Sequence, residues 1–107
     1  MQITLYVPES HCELVKQAMF AAGAGRYHGY EHCAWQVLGQ GQFQALPGSQ
    51  PFLGQQGILE KVAEFRVEMI CEKRYLKPVI QAMLNAHPYE QPAYFVSEHV
   101  DVDHLSV

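Results

Sequence analysis

Hydrophobic and polar positions alternate from the first residues: Ile3, Leu5 and Val7 against Gln2, Thr4 and Tyr6. A period of two is what a strand with one covered face requires, so the chain opens on a strand that Pro8 stops. Ser10 followed three residues later by Glu13 is a capping-box pattern, in which the two side chains satisfy free backbone N–H groups of a first helical turn. A helix is expected from there. Its apolar stripe is Leu14, Val15, Ala18, Met19 and Ala22, and Gly23 ends it. The same pattern returns late in the chain, where Phe65, Val67, Met69 and Cys71 alternate with Glu64, Arg66, Glu68 and Glu72 in a strand whose outer face is charged. Leu76, Val79, Ile80, Met83 and Leu84 then recur at helical steps, with Pro78 tolerated near the first turn and His87-Pro88 as the stop. Tyr94, Val96 and Val100 mark a last strand, and the acidic tail Asp101-Val-Asp103 is expected to fray.

The middle of the chain differs. All eight glycines lie between Gly23 and Gly57. Cys33, Trp35 and Val37 alternate with His32, Ala34 and Gln36, which places a second strand at about residues 30 to 38. A Gly-rich excursion follows to about residue 58, with room for a short extra hairpin in Gly39-Gln-Gly-Gln-Phe-Gln-Ala. Excursions of that length are commonly functional or mobile. The order β-α-β-(long loop)-β-α-β predicts an α+β fold, the ferredoxin-like βαββαβ sandwich: an antiparallel four-stranded sheet with two helices on one face. The other face is expected to carry Thr4, Tyr6, His32, Gln36, Arg66 and Glu68. Half polar and half aromatic, it reads as a self-association surface.

Composition narrows the classes. A chain of 107 residues is one domain, 1 to 107. Seven basic against eleven acidic residues give a net charge of −4, which excludes nucleic acid as the expected partner. The low charged fraction of 17% belongs mainly to the middle, since residues 24 to 59 hold just Arg26 and Glu31. No apolar run approaches the roughly 20 residues that span a bilayer, and no leader pattern follows Met1, so neither a membrane nor export is expected. Three widely spaced cysteines, odd in number, point to a reducing cytoplasm.

Three stretches together carry a resemblance: Gly23-Ala-Gly-Arg-Tyr-His-Gly-Tyr-Glu-His-Cys-Ala-Trp35, Gly57-Ile-Leu-Glu-Lys-Val-Ala-Glu-Phe-Arg-Val-Glu68 and His87-Pro-Tyr-Glu-Gln-Pro-Ala-Tyr94. They resemble the PII/CutA-like domain inserted in many members of the Nif-three-like protein family. The third is also similar to a stretch near the C-terminus of the CutA divalent-cation tolerance proteins. The resemblance implies a ferredoxin-like fold and a homotrimer built through sheets and edge strands. Full-length Nif-three-like proteins carry a dinuclear metal site on two flanking halves that have no counterpart here, so hydrolase activity is not carried over and the chain is expected not to be an enzyme. No nucleotide-binding signature of classical PII proteins follows Gln36.

Two constellations have chemical potential. His28, His32 and Cys33 combine imidazoles and a thiol, a ligand set suited to zinc or copper, and His87 could join them. The alternative puts Cys33 in the core and the histidines on the sheet surface. In His87-Pro-Tyr-Glu-Gln-Pro92 two prolines restrict their predecessors, so Tyr89 and Glu90 are presented in a stiff turn, either as a rigid joint or as a contact for a ligand or subunit. Gly23-Ala-Gly25 beside Arg26 follows a helix instead of opening one, which favours a tight turn over an anion cradle. Arg26, Tyr27, Tyr30, His87, Tyr89 and Glu90 are therefore the expected ligand or interface residues, and the partner is a small effector or a protein. No cofactor is required. Cys33 with a histidine is the single nucleophile and base pair, and no third residue orients it.

Overall fold

The computed structural model describes residues 1–52 and 54–98. The elements are β1 (Gln2–Pro8), α1 (Cys12–Ala22), β2 (Trp35–Gln44), β3 (Leu59–Ile70), α2 (Leu76–Ala86) and β4 (Tyr94–Ser97), with short 3₁₀ turns at Glu9–His11 and Lys73–Tyr75. All pairings are antiparallel, in the order β2-β3-β1-β4. This is the ferredoxin-like α+β fold. The expected Val100 and the acidic tail lie outside the described residues.

The core forms where the alternation of β1 and β3 coincides. Ile3 faces Met69, Leu5 faces Val67 and Val7 faces Phe65, so one register puts every apolar side chain on the helix side. Val15 and Met19 of α1 and Val79 and Met83 of α2 close on them, fully buried. Each such side chain contributes about 1.5–3 kcal/mol relative to remaining in water. Leu14 and Leu84, expected on the helical stripes, are exposed, and Phe20 takes a core position instead.

Several local expectations are corrected. The capping box does not form: α1 begins at Cys12, no side chain caps it, and Ser10 Oγ bonds His11 Nδ1 at 2.8 Å. The second strand runs over Trp35–Gln44 instead of 30 to 38. Upstream, His32 has φ 57°, and the Cys33 N–H is held by the Gly25 carbonyl at 2.8 Å, so extended geometry cannot begin there. The Gly39-Gln-Gly-Gln-Phe stretch is then not a separate hairpin but the second half of β2. Register also reverses the face of this strand. Gln36 sits opposite Val67 on the helix side, where it accepts from Lys16 Nζ at 2.8 Å, while Trp35 and Val37 lie opposite Glu68 and Arg66 on the outer face. His32 is on no strand.

Beyond Glu64 the sheet narrows. Among the described residues, 40–44 and 59–63 pair with each other alone, which makes a two-stranded arm on a molecule 50 Å long.

Candidate functional site

The outer sheet face and the loop that joins β2 to β3 enclose a concavity of about 890 Å³. Its floor is strand backbone. Val37, Gly39, Gly41 and Phe43 project from β2 toward this face, and Val62, Glu64 and Arg66 from β3. The glycines leave the floor low, and a Cβ at Gly41 collides with the Glu64 carboxylate. Phe52 of the loop, Tyr6, Phe95 and the Tyr89-Glu90 segment supply the walls.

His87 anchors that segment from below. It is 6% exposed, and its Nε2–H donates to the Tyr6 carbonyl at 2.7 Å while Nδ1 accepts from the Tyr89 N–H at 3.1 Å. Both bonds together require the neutral ring. Burial pushes the His87 pKa down, against the pull of the Tyr6 carbonyl, with a further push down from His11. Above it the Tyr89 hydroxyl donates to Glu64 Oε2 at 3.1 Å. Burial and then the Glu64 carboxylate push its pKa up to about 12. The Glu90 carboxylate accepts the Gln50 N–H at 2.8 Å and thereby ties the loop down. Phe52 leans on Tyr89 at 6.5 Å and on His11 at 5.4 Å.

The Tyr89 phenol is expected to titrate about two units above an ordinary tyrosine, visible as one lagging phenolate in an absorbance titration. A raised folded-state value means that this bond's stabilisation is complete below pH 10 and is lost as pH rises through about 12. Glu64→Gln should return Tyr89 toward 10, and Gly41→Ala should do the same by displacing the carboxylate.

The expected site residues divide between two regions. Tyr89 and Glu90 line the concavity, and His87 lies beneath them. Arg26, Tyr27 and His28 instead flank a smaller cleft of about 260 Å³ beside Met1 and Glu72. There Tyr27 and Tyr30 exchange backbone bonds of 3.0 Å across a two-residue turn, with His28 at φ 52°. His32 stacks on Phe20 at 4.8 Å, and Cys33 Sγ donates to the Glu31 carbonyl at 3.9 Å. Among the described residues no three His, Cys, Asp or Glu side chains gather as a ligand set. His87, with both nitrogens engaged and buried, does not join His28, His32 and Cys33. Cys12 and Cys71 are buried, which pushes their thiols up and away from nucleophilic use. Among the described residues no helix is long and apolar enough to cross a membrane.

Sequence reasoning missed Glu64, Phe43 and Phe52 as site residues. One signal was present: Val37, Gly39, Gly41 and Phe43 alternate with Leu38, Gln40, Gln42 and Gln44, which is a single strand with a glycine-floored face.

No protein-family model matches the chain. It is 48% identical over 90 residues to a GTP cyclohydrolase 1 type 2 homolog of Mycobacterium tuberculosis, a match covering 84% of this chain and 24% of that protein. The chain thus spans about a quarter of the length of the curated relatives it matches. Among solved structures it is similar to a Bacillus cereus protein related to NIF3, with a TM-score of 0.75 and 38% identity over 88% of this chain and 24% of that one. The PII-like protein CutA from Nostoc superposes at a TM-score of 0.61 with 20% identity, covering 98% of this chain and 86% of that one, a likeness of fold. These names correct one expectation. The chain was expected not to be an enzyme, yet its curated relatives carry the name of a cyclohydrolase homolog, attached to proteins about four times its length. The resemblance stands on both sides: in sequence this chain is similar to a quarter of NIF3-related proteins, and in fold to the PII/CutA-like proteins.

Proposed function

We propose that the chain is a PII/CutA-like module that assembles as a homotrimer in the cytoplasm and binds a small effector or a protein partner beneath the loop that joins β2 to β3. The observation that carries this reading is the concavity, whose volume lies in the roughly 300–1,000 Å³ range of small-molecule sites. Assembly is supported by the outer edge of β2, a ten-residue strand with no neighbour on that side among the described residues. Leu38 of that strand stands exposed, at 52%. A long apolar edge of this kind invites pairing with another chain, and pairing there leaves the concavity in a cleft between copies.

Multi-angle light scattering at tens of micromolar is expected to give three times the 12.1 kDa of one chain. Leu38→Lys, a charge on the edge strand, should shift it toward monomer without unfolding it. A monomeric wild-type protein removes the trimer and the cleft with it.

A further inference from the structure

The walls of the concavity have a chemistry of their own. Phe43 and Phe52 stand 6.4 and 6.5 Å from the Tyr89 ring centroid, tilted at 54° and 48°, so the three rings do not stack flat on one another. On the far side Tyr6 and Phe95 meet edge to face at 6.4 Å. Two carboxylates, Glu64 and Glu90, share the same wall. Each has one oxygen held by a neutral donor, the Tyr89 hydroxyl and the Gln50 N–H, which leaves the second oxygen to a ligand. Arg66 is the one cationic side chain of the lining, and its own chain already engages it. Its Nε lies 3.5 Å from Glu68 Oε1 and its guanidinium sits 5.5 Å from the Trp35 ring, toward the end of the sheet away from Glu64.

We propose that the concavity is an aromatic cage for an organic cation, an alkylated ammonium group with an apolar body, held on the faces of Phe43, Phe52 and Tyr89 and neutralised by Glu64 and Glu90. This rests on the reading of the concavity as an effector site. Aromatic faces carry the negative end of the ring quadrupole, and an alkylated ammonium sheds its weakly held water more readily than a primary one. The cation head needs a small part of 890 Å³, and the remainder, floored by Gly39 and Gly41, accommodates the apolar body.

The test compares choline with 3,3-dimethyl-1-butanol, its uncharged isostere, by calorimetric or NMR titration of the full chain. Choline is expected to bind about 5- to 10-fold more tightly than the isostere. Glu64→Gln, which keeps a group able to bond Tyr89, and Phe52→Ala, at a half-exposed position, should each reduce that preference several-fold while leaving the melting temperature near that of the wild type. If the isostere binds as well as choline and Phe52→Ala weakens both, the cation is refuted and the effector site stands. If neither compound binds, the cage is refuted, and the effector reading rests on the light-scattering test alone. A choline preference that survives in Glu64→Gln and Phe52→Ala alike overturns the cage.

Discussion

Gly25→Ala is expected to lower the unfolding free energy by about 2–4 kcal/mol, read from urea denaturation. Gly25 has φ +79°, a region in which an L side chain costs about 1–2 kcal/mol. A Cβ there lies 2.8 Å from the Phe20 ring and 3.1 Å from the Cys33 nitrogen. Phe20 is core and the nitrogen is backbone, so neither yields cheaply. Overpacking of this kind adds about 1–3 kcal/mol, offset in part by the reduced freedom of the unfolded chain. The residue also staples the fold: its N–H donates to the Ile70 carbonyl and its carbonyl accepts from Cys33, both at 2.8 Å. Gly29→Ala is the control. Gly29 has open space around it and no left-handed φ, so its substitution should stay within about 0.5 kcal/mol of wild type. Equal losses at the two positions would contradict the packing described for Gly25.

His87 carries the second large effect, and it depends on pH. A base whose folded pKa is depressed by burial contributes stability that is present above its unfolded value of about 6.5 and is lost as pH falls through the folded value. Below about pH 6.5 the unfolding free energy should therefore fall, by up to about 1.4 kcal/mol per pH unit for this one proton. Protonation turns Nδ1 into a donor facing the Tyr89 N–H, so the loss is concentrated at the joint between α2 and the concavity. His87→Gln removes the titration and keeps one donor and one acceptor. It should flatten the acid limb while lowering neutral stability modestly. His87→Leu strands the Tyr6 carbonyl and the Tyr89 N–H, each at about 1–3 kcal/mol. An acid limb unchanged in His87→Gln would assign the loss to other groups.

Most of the frame was legible because two independent patterns agreed. The alternation of Ile3-Leu5-Val7 and of Phe65-Val67-Met69 is uninterrupted, and both helices have a clear stop, in Gly23 and in His87-Pro88. The site was harder to read for a physical reason. Trp35 and Val37 look like core residues by type, but β2 lies at the sheet edge, and pairing Gln36 with Val67 sends its large side chains to the open face. A register is a property of two strands and is not written in either one. Glycines misled in the same way. Gly39 and Gly41 read as loop residues, whereas they are strand positions, and Gly41 is kept bare for the Glu64 carboxylate. Tyr89 and Glu90 stay together on one wall of the concavity because proline restraint is local. Arg26, Tyr27 and Tyr30 share a neighbourhood with one another but not with them, a separation that only the fold decides.

The narrow end of the sheet has a mechanical consequence. Where residues 40–44 and 59–63 pair, no third strand braces them among the described residues, and a two-stranded ribbon has little independent stability. The ribbon meets the three- and four-stranded part of the sheet at Glu64, and the contacts of Phe43 and Phe52 with Tyr89 and of Glu90 with Gln50 hold it and its loop to the body. None of those contacts involves Ile3, Leu5 or Val67, so the cost of releasing the loop is set by a few contacts at the concavity and is separate from that of opening the core.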